Sequence, residues 1–141
     1  AMPDATRTAE PPRARALGGG FHVATVLGVR LYLDASVLVI FALILVNLGA
    51  VAFPGWHPDW PMAVTWATAF GAAVLFLVSI VAHELSHALV ARRHGIGVPR
   101  ITLFLFGGLA QMEREPDSPK AEFWIAIVGP LMSFAIGGIA I

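Results

Sequence analysis

The chain has 141 residues, of which 57% are hydrophobic and 13% are charged, whereas an ordinary soluble domain has about 45–50% apolar and about 25% charged residues. This composition predicts a membrane protein, because a soluble fold of this length would expose a wide apolar surface. Nine basic residues balance nine acidic ones and cysteine is absent. Disulfides and thiolate metal sites are excluded, and no excess of basic residues suggests a nucleic-acid partner.

The chain before the first apolar stretch divides into two parts. Residues 1–20 are predicted to form a disordered cytoplasmic tail, because prolines, arginines and three consecutive glycines leave almost no large apolar side chain there. Residues 21–33 are rich in Val, Leu, Thr and aromatic residues, with Gly28 in the middle. This pattern predicts two short strands or a hairpin against the membrane surface.

Three apolar segments, at residues 35–53, 62–91 and 121–141, are predicted to cross the membrane. A helix rises about 1.5 Å per residue, so each segment approaches the roughly 30 Å thickness of the hydrocarbon core. In the third segment Gly129-Pro130, with Ser133 after it, indicates a helix kink that serves packing. Residues 21–141 are therefore expected to form one membrane-embedded core.

Residues 100–112 are too short to span and are better interpreted as a strand or re-entrant hairpin. The predicted fold class is an all-α polytopic membrane protein with short β elements. It has three transmembrane helices plus a membrane-associated β-hairpin or re-entrant segment.

Arginines indicate the orientation of the spans. They lie before the first span and after the second, and the intervening interfacial loop at residues 54–61 has none. By the positive-inside rule the N-terminus is cytoplasmic, in a multi-pass protein of the cell membrane. The arginines in question are Arg7, Arg13, Arg15, Arg30, Arg92, Arg93 and Arg100.

The second predicted span contains the sequence His83-Glu84-Leu85-Ser86-His87. On a helix His83 and His87 stack on one face and can bind one ion, while Glu84 lies close enough to reach a water molecule on that ion. Ionisable side chains are costly inside a membrane span, and a metal explains why three of them share one apolar helix. The pattern predicts a zinc site in which Glu84 removes a proton from water.

Catalytic zinc normally has three protein ligands, so two histidines are not enough. The metzincin pattern is excluded because Val90 and Arg93 stand where it needs Gly and His. The alternatives within the chain are weaker, since most of them have an ordinary solvated or helix-capping role. They are Asp34, His94, Glu113, Glu115 and Glu122.

Three segments of the chain carry a family resemblance: VAHELSHALVARRHGI (Val81–Ile96), LFLFGGLAQMEREPDSP (Leu103–Pro119) and AEFWIAIVGPLMS (Ala121–Ser133). Together they resemble the site-2 protease family of intramembrane zinc metalloproteases. The similarity extends over residues 21–141 and is closest to the bacterial and archaeal branch whose members often carry CBS domains.

The resemblance implies that His83 and His87 are zinc ligands and that Glu84 is the general base and acid. It also implies a third ligand, an aspartate in a later L-D-G segment, which does not occur in this sequence. The chain is therefore expected to be an N-terminal portion of the family's core, with the third ligand beyond Ile141. Asp34 departs from the family, since relatives of this branch commonly have a histidine there.

The segment around Phe106, Gly107 and Gly108 is the candidate substrate-binding site. Residues 104–111 alternate like an edge strand, and the two glycines permit close approach of another backbone. A peptide could add to this edge and present an extended scissile bond.

The leading hypothesis is a zinc endopeptidase that cuts transmembrane segments of membrane-anchored regulators. Its expected partners are these substrates and the lipid bilayer, and no nucleic-acid partner is expected. Homo-oligomer formation is left open. The alternative is a catalytically incomplete membrane module that binds metal weakly or only packs with helices. Stoichiometric zinc would favour the enzyme over the module.

Overall fold

The computed structural model describes residues 20–141, so the predicted disordered tail lies outside the described residues apart from Gly20. Helices dominate, and four short strands accompany them. The elements in chain order are β1 (Phe21–Val26), β2 (Val29–Leu33), α1 (Ala35–Asn47), a π-helical turn (Leu48–Ala52), α2 (Phe53–Trp56), α3 (Met62–Arg93), β3 (Arg100–Phe104), β4 (Gly107–Gln111) and α4 (Pro119–Ala140).

The prediction of three spans is confirmed. Within residues 20–141, three helical segments are long and apolar enough to cross a membrane: Ala35–Trp56, α3 and α4. The first segment continues past its predicted end at residue 53, through Pro54. In the π-helical turn the Phe53 N–H donates to the Leu48 carbonyl. Pro54 thereby falls in the first turn of α2, where a backbone donor is not needed.

The helix ends have sequence-encoded caps. The Asp34 carboxylate accepts from the Ser36 N–H at 2.9 Å, and the Ser118 hydroxyl accepts from the Ala121 N–H. These caps satisfy backbone donors that have no partner inside the helix. Arg92 and Arg93 lie in the last turn of α3, where positive charge is favourable.

The four strands form one sheet in the order β1-β2-β3-β4. The predicted N-terminal hairpin is confirmed, with an antiparallel β1–β2 pair and a turn in which Leu27 and Gly28 both have positive φ. Residues 100–112 form a second antiparallel hairpin, β3–β4. The parallel pairing of β2 with β3 joins the two hairpins, and the sequence pattern did not predict it.

The buried core lies between the sheet, the C-terminal half of α3 and the first turns of α1 and α4. It consists of small and branched apolar side chains, which allow strands and helices to approach closely. This packing holds β4 against α3 near its histidines. The core residues are Val29, Leu31, Val37, Ala88, Ala91, Ile96, Val98, Ile101, Leu103 and Ile125.

Candidate metal centre and active site

The two histidines of α3 lie side by side, as the four-residue spacing predicts. The ring centroids of His83 and His87 are 4.8 Å apart, and the rings meet edge to face at 76°. Both side chains are half-buried and face α4. The two imidazoles can therefore reach one common ion.

Each imidazole is oriented by α4 through its Nδ1 atom. His87 Nδ1 lies 2.5 Å from the Ile125 carbonyl oxygen, and His83 Nδ1 lies 2.8 Å from the Ser133 hydroxyl. A carbonyl oxygen can only accept, so His87 Nδ1 carries the proton and its Nε2 keeps a free lone pair. Metal-binding histidines generally make such a hydrogen bond through the ring nitrogen that does not bind the metal.

The Nε2 atoms of both histidines lie beside α4 at Gly129. A Cβ atom built on Gly129 would stand 2.3 Å from His87 Nε2 and 2.6 Å from His83 Nε2, which is an overlap. Gly129 therefore lets α4 pack directly against the two imidazoles. Two neighbouring imidazoles whose Nδ1 atoms are bonded to α4 fit the histidine ligands of a zinc ion.

Glu84 faces the edge strand β4. The Gly108 N–H donates to the Glu84 carboxylate at 3.3 Å. A Cβ atom at Gly108 would lie 2.4 Å from both Cγ and Cδ of Glu84. The strand can approach the acid this closely only because Gly108 lacks a side chain.

Two cavities meet at Glu84. The first, of about 510 Å³, is lined by His83, Phe106, Gly107 and Ser133 among others. The second, of about 460 Å³, lies beyond Gly108 and is lined by His87, Met112 and Glu122 among others. Both are large enough for several side chains, so an extended chain could pass Glu84 with residues on either side.

The three candidate substrate-binding residues occupy different positions around these cavities. Phe106 is 91% exposed at the tip of the β3–β4 hairpin. Gly107 has a φ of +127°, which only glycine adopts without strain. Gly108 contacts Glu84 directly.

The alternative third ligands do not join the two histidines. Asp34 caps α1, and hydrogen bonds from Ser36 and Ala35 lower the pKa of its carboxyl. His94 Nδ1 contacts the Val90 carbonyl, Glu113 packs against Gly97 and Glu122 lines the second cavity. Within residues 20–141 no group of three His, Cys, Asp or Glu could hold a metal ion.

Sequence reasoning missed the contribution of α4. It interpreted Gly129-Pro130 and Ser133 as a kink for packing, whereas Gly129 and Ser133 face the two histidines. The available signal was spacing, because Ile125, Gly129 and Ser133 are four residues apart and share one helix face.

Comparison with known proteins agrees with this geometry. The family model described as peptidase family M50 matches residues 71–141, which include all of α4 and the His83–His87 sequence. The chain belongs to peptidase family M50. This family assignment confirms the resemblance to the site-2 proteases. The family and the three apolar helices together identify a membrane protein.

Relatives of this M50 chain are named as zinc metalloproteases. Rip3 of Mycobacterium tuberculosis is 46% identical over 101 residues, which cover 72% of this chain and 25% of Rip3. A protein of Synechocystis is 39% identical over 127 residues, which cover 85% of this chain and 32% of that protein. The M50 chain thus spans between 25% and 32% of the length of these two relatives.

A solved structure shares the M50 fold. The site-2 protease from Methanocaldococcus jannaschii matches with a TM-score of 0.56 and 28% sequence identity. The match covers 85% of this chain and 49% of the solved chain. The similarity supports the helical membrane fold with its small sheet.

Proposed function

We propose that this chain carries the water-activating part of an intramembrane zinc endopeptidase. The observation that carries the proposal is the pairing of His83 and His87 on one face of α3, with the Nδ1 atom of each ring bonded to α4. Glu84, on the same apolar helix, is adjacent in sequence to the first of these ligands. Ionisable groups so placed in a membrane span are costly, and a shared metal accounts for them.

The residues have separate roles in this proposal. His83 and His87 hold zinc, which when bound supplies a Lewis acid to polarise a scissile carbonyl. Glu84 accepts the proton of the attacking water and returns it to the leaving amine nitrogen, as a general base and then a general acid. The Gly108 N–H keeps the Glu84 carboxylate at the edge of β4, where a substrate backbone would lie.

A third zinc ligand is needed to complete the site. Within the described residues no third donor joins the two histidines. We propose that an aspartate of a later L-D-G segment supplies it, from the part of the protein that follows Ile141. The N-terminus and the end of α3 are proposed to face the cytoplasm, in the cell membrane.

The substrate-binding proposal rests on the backbone of β4. The Leu103 carbonyl accepts from the Asp34 N–H on the β2 side of β3, so its register partner Gly108 points its own backbone groups the other way. By strand alternation Ala110 does the same. Because the Gly108 N–H donates to Glu84, an extended peptide could bond the Gly108 carbonyl and the Ala110 backbone groups. Such a peptide would expose its carbonyls, which a helical substrate hides.

The proposed substrates are transmembrane segments of membrane-anchored regulators. The test uses the full-length protein in lipid vesicles with a fluorescent single-span substrate. We expect cleavage inside the span, its loss after zinc removal by a chelator, and its recovery after zinc is restored. Chelator-resistant cleavage, or cleavage only outside the span, would refute the proposal. Homo-oligomer formation stays a prediction.

A non-catalytic membrane module is the second candidate, favoured by the two-histidine site among the described residues. The zinc content of the purified full-length protein distinguishes the enzyme from the non-catalytic module. The enzyme is expected to hold one zinc per chain and to lose it in His87→Ala. A module would hold substoichiometric zinc in both proteins.

A further inference from the structure

The residues of α4 that face the histidines have the same four-residue spacing as the histidines themselves. Ile125, Gly129 and Ser133 follow one another at intervals of four, and α4 runs antiparallel to α3. The Ile125 carbonyl therefore meets His87, Ser133 meets His83, and Gly129 lies between them against both Nε2 atoms.

We propose that Gly129 and Ser133 are positioning residues of the metal centre: Gly129 lets α4 pack directly against both imidazoles, and Ser133 sets the plane of the His83 ring. This inference rests on the proposed zinc site and adds to it a role for α4. Both residues contact the histidines, and the proposed roles act through those contacts.

The argument for Gly129 is steric. Gly129 is buried, and a Cβ atom there would overlap both imidazole rings, 2.3 Å from His87 Nε2 and 2.6 Å from His83 Nε2. Gly137 and Gly138 lie on the same helix with nothing within 4 Å of their Cβ positions. Glycine is a poor helix former compared with alanine. Of the three positions, only Gly129 has a local packing reason for glycine.

The argument for Ser133 is one of orientation. The two hydrogen bonds hold the imidazoles from opposite ends of the α4 face, one through a backbone carbonyl and one through a side chain. The carbonyl of Ile125 is present whatever residue stands there, whereas the bond to His83 depends on a hydroxyl. Without that bond the His83 ring can turn about its side-chain torsions, which moves its Nε2 away from that of His87.

The test measures metal affinity in the purified full-length protein, by Zn²⁺ competition with a fluorescent chelator and by the visible absorption of bound Co²⁺. Ser133→Ala should weaken zinc binding about 10- to 100-fold and alter the Co²⁺ spectrum, as loss of a ligand's hydrogen-bond partner does. Ser133→Thr keeps the hydroxyl and should restore both. The matched control is Ser86→Ala, because the Ser86 hydroxyl bonds the Ala82 carbonyl of its own helix and no histidine.

A second pair of variants tests the close packing of α4 on the histidines. Gly129→Ala should weaken Zn²⁺ and Co²⁺ binding at least as much as Ser133→Ala, because the new Cβ overlaps both rings and forces α4 or the imidazoles to move. Gly137→Ala should leave metal binding unchanged, because nothing lies within 4 Å of its Cβ position. If Gly129→Ala does not fold, the alanine and threonine variants of Ser133 decide the question.

The outcomes separate this inference from the proposed function. Wild-type affinity in both Ser133→Ala and a folded Gly129→Ala would overturn the positioning roles and leave the zinc site standing. Equal losses in Ser133→Ala and Ser133→Thr would also overturn the role of the hydroxyl. Absence of Zn²⁺ and Co²⁺ binding in the wild-type protein would instead refute the proposed function.

Discussion

Gly108 on the edge strand and Glu84 on the histidine-bearing helix are in direct contact, with the Gly108 N–H donating to the Glu84 carboxylate at 3.3 Å. The contact joins the two parts of the proposed active site. In the proposed function, strand β4 offers a backbone edge to a substrate, and Glu84 of α3 is the acid that moves protons. The position of one part therefore determines the position of the other.

Gly108→Ala is expected to reduce cleavage about 100-fold, the size of effect that a displacement of about 1 Å can have on catalysis. The new Cβ would overlap Cγ and Cδ of Glu84 and push the strand and the acid apart. Cleavage rate and zinc content are measured together, and zinc content should not change. Gly71→Ala on α3 is the control, since nothing lies within 4 Å of its Cβ position. Undiminished cleavage in Gly108→Ala would show that the contact is dispensable.

If a substrate pairs with the free edge of β4, methylation of its backbone nitrogens should weaken binding at every second residue. A peptide inhibitor derived from a cleaved segment is methylated at one backbone nitrogen at a time. Inhibition should weaken about fivefold, the value of one hydrogen bond, at every second position, because alternate backbone groups face β4. The inhibition constants are measured for the whole series. A profile without this alternation would argue against strand pairing.

Asp34 is expected to act as a helix cap and not as a metal ligand. Asp34→Ala should lower the melting temperature at neutral pH, whereas Asp34→Asn, which also caps helices well, should preserve it. The pKa of Asp34 is lowered from 3.8 by its bonds to Ser36 and Ala35. Its stabilising contribution is therefore complete above 3.8 and is lost as the pH falls through the lower folded-state pKa. Loss of zinc in Asp34→Asn would make this residue a ligand instead.

The orientation can be tested by labelling, because the sequence contains no cysteine. Asp59→Cys places one thiol in the loop between the first two spans, and His94→Cys places one at the end of α3. A membrane-impermeant maleimide should label the first variant in intact cells and the second only after permeabilisation. The reverse pattern would place the N-terminus outside the cell.

Local patterns predicted much of the helical fold and the two histidines of the candidate metal centre. The spacing of His83 and His87 determines that their rings share a helix face, whatever the rest of the chain does. The parallel pairing of Arg30 with Arg100 could not be predicted in this way. It joins segments seventy residues apart, and short apolar strands contain no information about their partners.

The contribution of α4 was missed for a related reason. Apolar residues occur all around this helix, because lipid and protein neighbours are equally apolar, so its pattern does not reveal which face packs on α3. The spacing of Gly129 and Ser133 puts them on one helix face, but only the rotation of α4 about its axis shows that this face meets the two histidines.

The most direct test of the proposed function is Glu84→Gln in the full-length protein, reconstituted in lipid vesicles with a single-span substrate. The substitution keeps the size of the side chain and removes its ability to accept a proton. We expect cleavage to fall at least about 100-fold, the lower end of general acid–base contributions, while zinc content equals that of the wild type. Wild-type cleavage by Glu84→Gln would contradict the role of Glu84 as the catalytic base.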